Sequence, residues 1–286
     1  MGKMEDGMLV SLVLVVEAER EAVLPPYLGR ASHAIFLRGV AERDPVLAER
    51  LHAPDERRPF TCSSLVGARL AWVDGELRAV VRPGQSLFLR YTGLTAEVSE
   101  HLVRWAEAPP PTVEVDGVRL TVQQATLDPA VHPWAGQTTY PALLRKTLPT
   151  GEPLPRHLEL EFLSPTAFHS GGRNVPLPLP DLVYGSLVEK WNDFSPVAVS
   201  PEVRRFAGEC LAISRYDLTT RAVPGKGEGM QIGFVGRCRY VALRADPYWL
   251  GVLQALTEYA FWAGVGYQTT MGMGQARKVV KLTINN

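Results

Sequence analysis

The chain runs twice through one order of strands and helices, and this duplication constrains its fold more than any single motif does. In the first pass an apolar strand at Met8–Ala18 leads into a helical stretch, Gly29–Arg43, where Phe36, Leu37 and Val40 recur at helical spacing. Apolar runs at Leu65–Val73 and Leu77–Val81 flank Asp74-Gly75, the composition of a tight hairpin turn. A helix over Leu94–Trp105 and a strand pair over Val113–Val122, turning at Asp116-Gly117, complete a βαββαβ order with an extra hairpin. The second pass is cleaner: strand His157–Leu163, helix Asp181–Phe194, strands near Cys210–Leu218 and Gln231–Leu243, helix Pro247–Ala263, strand Ala276–Ile284. In that last helix Trp249, Leu253, Leu256, Ala260 and Ala263 mark one buried face.

Such an order, taken twice, predicts an α+β protein of two tandem ferredoxin-like domains, the plan shared by RNA-recognition modules. The proline-rich stretch Pro129–Pro155 reads as the connection. The expected division is therefore an N-terminal domain over residues 1–130, a linker over 131–155 and a C-terminal domain over 156–286.

Composition narrows the function less. Hydrophobic residues make up 46% of the 286, enough for two real cores. The 30 basic and 30 acidic residues cancel, so a surface for a polyanion has to arise from segregation of charge. Only six lysines are present, leaving arginine, whose planar fork suits phosphates, as the main cation. Cys62, Cys210 and Cys238 are scattered and lack CxxC spacing, which fits neither a disulfide framework nor a zinc site and agrees with a reducing cytoplasm. Met8–Val16 is apolar but short and broken by Ser11, far below the roughly 20 residues of a membrane span.

Two segments carry positive charge or loop chemistry. Between Arg215 and Arg244 six basic residues (Arg215, Arg221, Lys226, Arg237, Arg239, Arg244) face two acids, Asp217 and Glu228. Arg237 and Arg239 share one strand face, beside which a nucleic-acid backbone would lie, although a solvated sheet face is the plainer reading of any one arginine. Downstream, Gly264, Gly266, Gly272 and Gly274 enclose Gln268, Thr269 and Thr270, and Arg277, Lys278 and Lys281 follow with no acid from Gly264 onward. Glycine permits positive φ and close backbone approach, so this loop suits phosphates; Gly264 alone reads as a helix C-cap. Here a helix precedes and a strand follows, the reverse of nucleotide-binding loops, which argues against a nucleotide cofactor.

These stretches resemble one family, the CRISPR-associated repeat-processing endoribonucleases (Cas family six, in the RAMP superfamily). GVGYQTTMGMGQARKV looks like its C-terminal motif. LELEFLSPTAF (Leu158–Phe168) and PLPLPDLVYGSLVEKWNDF (Pro176–Phe194) are similar to its second-half strand and helix, HPWAGQTTYPALL (His132–Leu144) to its inter-domain segment, and YLGRASHAIFL (Tyr27–Leu37) to its first helix. The resemblance implies recognition of precursor CRISPR RNA and one cut per repeat, leaving a 5′-hydroxyl and a 2′,3′-cyclic phosphate. It also implies transfer of the product to an interference complex, with a homodimer as a compatible assembly and no membrane partner.

Metal-free RNA cleavage needs a base for the 2′-hydroxyl, an acid for the departing oxygen and positive donors for the phosphate. Of His33, His52, His101, His132, His157 and His169, none has ligand spacing to acids or cysteines, so neither a metal nor a cofactor is expected. The resemblance assigns the catalytic role to His33 in the first helix, with Tyr27 orienting the nucleophile or donating a proton and Arg30 or Arg38 supplying charge. Read from spacing alone, His33 shares a side with Leu37 and Val40 and is a satisfied core histidine. A non-catalytic repeat-binding subunit and a general RNA-binding module both stay open as alternatives.

Overall fold

The computed structural model describes residues 7–53, 57–145, 154–225 and 229–279. They form two compact units, one of Met1–Tyr140, Asp193–Pro196 and Gln268–Met273, the other of Pro141–Asn192, Val197–Tyr267 and Gly274–Asn286.

The first unit contains β1 (Met8–Ala18), β2 (Ala22–Leu24), α1 (Gly29–Ala41), α2 (Pro45–His52), β3 (Phe60–Cys62), β4 (Arg69–Val73), β5 (Glu76–Val81), β6 (Leu87–Gly93), α3 (Ala96–Glu107), β7 (Thr112–Val115), β8 (Val118–Thr126) and β9 (Gly136–Thr139). Its main sheet runs β3-β6-β1-β8-β7. Counting only the strands of the βαββαβ plan, that is the second, third, first and fourth in order, the ferredoxin-like topology. β1 is buried on both faces along most of its length, which explains why its sequence is apolar at successive positions apart from Ser11 and Glu17. Phe36 and Val40 from α1 and Val98, Leu102 and Trp105 from α3 join it in one core. Each such buried side chain contributes about 1.5–3 kcal/mol.

The extra hairpin, β4–β5, pairs with β2 as a separate small sheet. Both Asp-Gly turns form as expected: Asp74 and Gly75 (φ 51° and 79°) and Asp116 and Gly117 (φ 50° and 78°) occupy the left-handed region that a two-residue hairpin of matching twist requires. The expected linker is partly sheet. β9 pairs with β1 over Met8–Ser11, where β8, pairing from Val13 onward, has left it. Buried Arg90 holds that segment: its Nε donates to Ser11 Oγ (2.8 Å) and Trp134 O (3.1 Å), and its guanidinium lies 5.1 Å from the Trp134 ring centre.

The second unit contains most of α4 (Tyr140–Arg145), then β10 (His157–Thr166), β11 (Phe168–Ser170), β12 (Arg173–Val175), α5 (Pro180–Phe194), α6 (Val203–Cys210), β13 (Leu211–Pro224), β14 (Met230–Ala242), α7 (Pro247–Ala263) and β15 (Ala276–Lys278). Its sheet order, β13-β14-β10-β15, repeats the second-third-first-fourth pattern. α7 starts where expected, with Asp246 Oδ1 accepting from Trp249 N (3.1 Å) and Pro247 in the first turn. It is buried almost all round, not along one face, because other helices cover what the sheet does not: Trp191 of α5 packs on Tyr259 and Phe206 of α6 on Trp249. No helix among the described residues is long and apolar enough to cross a membrane.

Candidate functional site

α1 begins after Pro25-Pro26 without a side-chain cap, and the N–H of Leu28 donates to Ser64 Oγ (2.9 Å). Glycine at 29 lets the segment Gln268–Met273 lie across the helix start. A Cβ there would stand 1.8 Å from Met271 O, and one at Gly272 would stand 2.8 Å from Gly29 Cα. Gln268 and Gly272, both at positive φ (55° and 92°), flank a 3-10 turn, Thr269–Met271, and Gly272 bridges to Ser63 just past β3. The turn presents two successive carbonyls to α1. Thr270 O accepts from His33 Nδ1 at 3.0 Å, and Met271 O accepts from Tyr27 Oη at 2.9 Å. All these groups belong to the first unit.

A carbonyl only accepts, so Nδ1 of neutral His33 carries the proton and Nε2 keeps its lone pair. The residue is 7% exposed and its ring stacks on Phe60 at 5.6 Å. Burial first, then the positive charges of Arg58 and His52, push its pKa down to about 4, against the upward pull of the bond to Thr270. Among the described residues the buried side-chain nitrogen without a partner is Nε2 of His101. A neutral imidazole whose protonated nitrogen is tied to backbone keeps its lone pair on the other nitrogen, the position that can accept a proton.

The remaining expected residues are dispersed. Tyr27 has committed its proton to Met271 O, and burial pushes its pKa upward, which makes it a clamp on the loop. At about 100° per residue, Arg30 lies roughly 60° around α1 from His33 and Arg38 roughly 140° away. Both are exposed, and the helix does not bring Arg38 to the imidazole. The charge felt at His33 comes from Arg58, ahead of β3, and from His52 at the end of α2. Neither was legible in the sequence, because both approach from elements distant along the chain.

The glycine segment is more structural than a phosphate cradle. Gly264 caps α7, its N–H donating to Ala260 O (3.0 Å), and a Cβ at Gly266 would stand 2.3 Å from Ala167 O. Several of its amides are used internally: Val265 N donates to Gly274 O, Gly266 N to Ser186 Oγ, Tyr267 N to Ala167 O and Gly274 N to Pro165 O. Lys190, buried in α5, grips the same stretch through the carbonyls of Ala263 (3.3 Å), Gly264 (3.1 Å) and Gly266 (3.0 Å). The signal for Lys190 was in the sequence, since it follows buried Leu187 and Val183 at helical spacing.

On the second unit's sheet the expected RNA-facing arginines have acidic partners. Arg239 pairs with Glu159 (2.6 Å), while Arg237 (2.8 Å) and Arg277 (2.7 Å) share Glu161. The register sets Glu159 opposite Arg239 and Glu161 opposite Arg237. Burial raises the Glu161 pKa, but hydrogen bonds from the two arginines outweigh it and hold the carboxyl below its usual value. Arg215 and Arg221 are exposed on β13; Lys226 lies outside the described residues.

Three comparisons bear on this arrangement. The family profile described as "CRISPR-associated endoribonuclease Cas6" matches residues 160–276. A protein of that name from Mycobacterium tuberculosis is 29% identical over 126 residues, covering 44% of this chain and 40% of the relative, so the match spans about two-fifths of the curated protein. Among solved structures, Thermus thermophilus Cas6 superposes with a TM-score of 0.72 at 26% identity, and a Cas6 product complex with 0.74 at 28%; each alignment covers 96% of this chain and all of the other.

Proposed function

The chain belongs to the Cas6 family of CRISPR-associated proteins, and from that premise we propose that it is a metal-independent endoribonuclease cutting precursor CRISPR RNA within its repeats. The observation that carries the reading is His33, its Nδ1–H bonded to Thr270 O, which leaves the lone pair on Nε2. Nε2 takes the proton of a ribose 2′-hydroxyl, the oxygen attacks the adjacent phosphorus in line, and the P–O5′ bond breaks. The products are a 2′,3′-cyclic phosphate and, once the departing oxygen is protonated, a 5′-hydroxyl. Arg58 and Arg30 stabilise the charge that builds on the phosphate. His52, a second imidazole whose charge reaches His33, is suited to protonate the leaving group.

A docked phosphate opposes the field of Arg58 and lifts the His33 pKa from about 4 toward the working pH, so the substrate completes its own base. The same reading puts the protein in the cytoplasm, with processed RNA passing to an interference complex and a homodimer as a compatible assembly. The competing reading, a repeat-binding subunit without chemistry, draws on the low exposure of His33.

Incubation with labelled repeat RNA separates the two. Cleavage persists in EDTA, stops when the cleaved nucleotide is 2′-deoxy, and slows by roughly 10²–10⁴-fold in His33→Ala with binding retained. Binding without a discrete cut leaves only the non-catalytic reading; cutting of the deoxy substrate removes the proposed nucleophile.

A further inference from the structure

The second unit carries a surface feature that the cleavage chemistry does not use. β11 and β12 turn at Gly171-Gly172 and set His169 opposite Asn174, so both side chains leave one face of the ribbon. His169 is exposed, and its ring lies 4.0 Å from that of Tyr267, tilted by 34°. Tyr267 Oη stands 2.8 Å from Asn174 Oδ1 and 2.6 Å from Gln231 Oε1. Asn174 Nδ2 donates to Ile232 O at 2.7 Å, and since a carbonyl only accepts, the amide orientation is fixed. With the Asn174 amide so fixed, its Oδ1 accepts from the phenol, and the Gln231 side-chain amide lies within hydrogen-bond distance of the same phenol oxygen. Side chains from β12 and β14 thus lock the Tyr267 ring, and a second ring rests on it. Arg221, opposite Gly233 where Val223 is opposite Gln231, is exposed on the same side of the β13–β14 hairpin as Gln231.

From this geometry we propose that His169 and Tyr267 form a stacking platform for one unpaired base of bound RNA, with Arg221 on its phosphate. The proposal rests on the RNA-processing reading above. Core packing does not account for an exposed imidazole lying on a ring whose hydroxyl two side-chain amides already hold. A pre-set aromatic pair loses little freedom when a base joins it, and such stacking is worth about 1–3 kcal/mol per base with little sequence preference. A paired duplex offers no free base face inside its stack, so the ligand class is single-stranded RNA.

The test is fluorescence anisotropy with a labelled oligoadenylate and a labelled RNA duplex against wild type, His169→Ala and His169→Phe. His169→Ala weakens oligoadenylate binding by ~5- to ~150-fold, the stacking range converted at 1.4 kcal/mol per decade, without a comparable loss on the duplex. His169→Phe restores it, because a ring suffices. Unchanged oligoadenylate affinity, equal losses on both RNAs, or no rescue by phenylalanine overturns the platform and leaves the endonuclease reading standing. Absence of any RNA binding by wild type overturns both.

Discussion

Gly29→Ala tests whether the seat of the loop on α1 sets the base. Helix propensity alone favours the change by up to about 1 kcal/mol, so an open site at 29 would make the variant more stable. The new Cβ, however, would stand 1.8 Å from Met271 O and 2.5 Å from its carbonyl carbon. Close C···O contacts begin near 3.3 Å, so the turn must retreat by about 1.5 Å. That exceeds the slack in the 3.0 Å bond from His33 to Thr270 O and the 2.9 Å bond from Tyr27 to Met271 O, given a limit of about 3.5 Å. Overpacking costs about 1–3 kcal/mol and each lost bond about 1 kcal/mol, which leaves a net loss of about 2–4 kcal/mol after the helix gain. Freed of Thr270, the imidazole populates both tautomers, and misplacement of this order lowers the chemical step about 10²-fold. Gly39→Ala, on the same helix but against the Trp105 ring at 2.7 Å, is the control: it costs stability and spares the rate. Urea unfolding and single-turnover cleavage at saturating protein read both quantities. A stabilised Gly29→Ala, or one that cleaves at the wild-type rate, refutes the reasoning.

The pH dependence follows from the same site: kcat/KM, which reports the free protein, rises through about pH 4 as His33 loses its proton, and Arg58→Ala moves that limb upward by removing a cation; a wild-type limb near 6.5 contradicts this. Stability carries a second signature. His101, buried with its Nε2 unpartnered and its pKa pushed down to about 4 by burial and then by Arg43 and Arg104, binds its proton more readily when unfolded, so its contribution is intact above about pH 6.5 and falls as pH drops toward 4, by on the order of 3 kcal/mol. Thermal melts of wild type and His101→Leu between those pH values check it: a wild-type loss undiminished in the variant removes His101 as the cause. Glu161→Gln removes the carboxylate that Arg237 and Arg277 share, leaves their charge less neutralised toward phosphate and steepens the salt dependence of RNA affinity by about one to two units; an unchanged slope in a salt titration places both arginines outside the RNA contact.

Much of the fold was legible because local and global signals agree. The Asp-Gly turns, the start of α7 at Asp246-Pro247 and the alternation of Leu158, Leu160 and Phe162 with Glu159 and Glu161 each follow from short-range chemistry. What sequence missed depends on distant neighbours. β9 is polar and short, and is a strand only because β1 leaves an edge open to it. Arg237 and Arg239 read as free cations until register placed acidic side chains beside them. His33 was readable both as base and as core, and it has properties of each: the core buries the ring, and a carbonyl 237 residues along the chain fixes its tautomer. No local pattern encodes that carbonyl, since backbone oxygen is common to every residue.

The grip of Lys190 differs in kind from the ionic ladder on the sheet. Carbonyl oxygens gain no proton even in acid, whereas the Glu161 carboxylate, though its two arginines hold its pKa below the usual range, does once the solution is acidic enough. Strong acid thus dissolves the cross-links that Glu161 makes and leaves the root of the glycine segment riveted to α5, an acid-blind joint beside an acid-sensitive one.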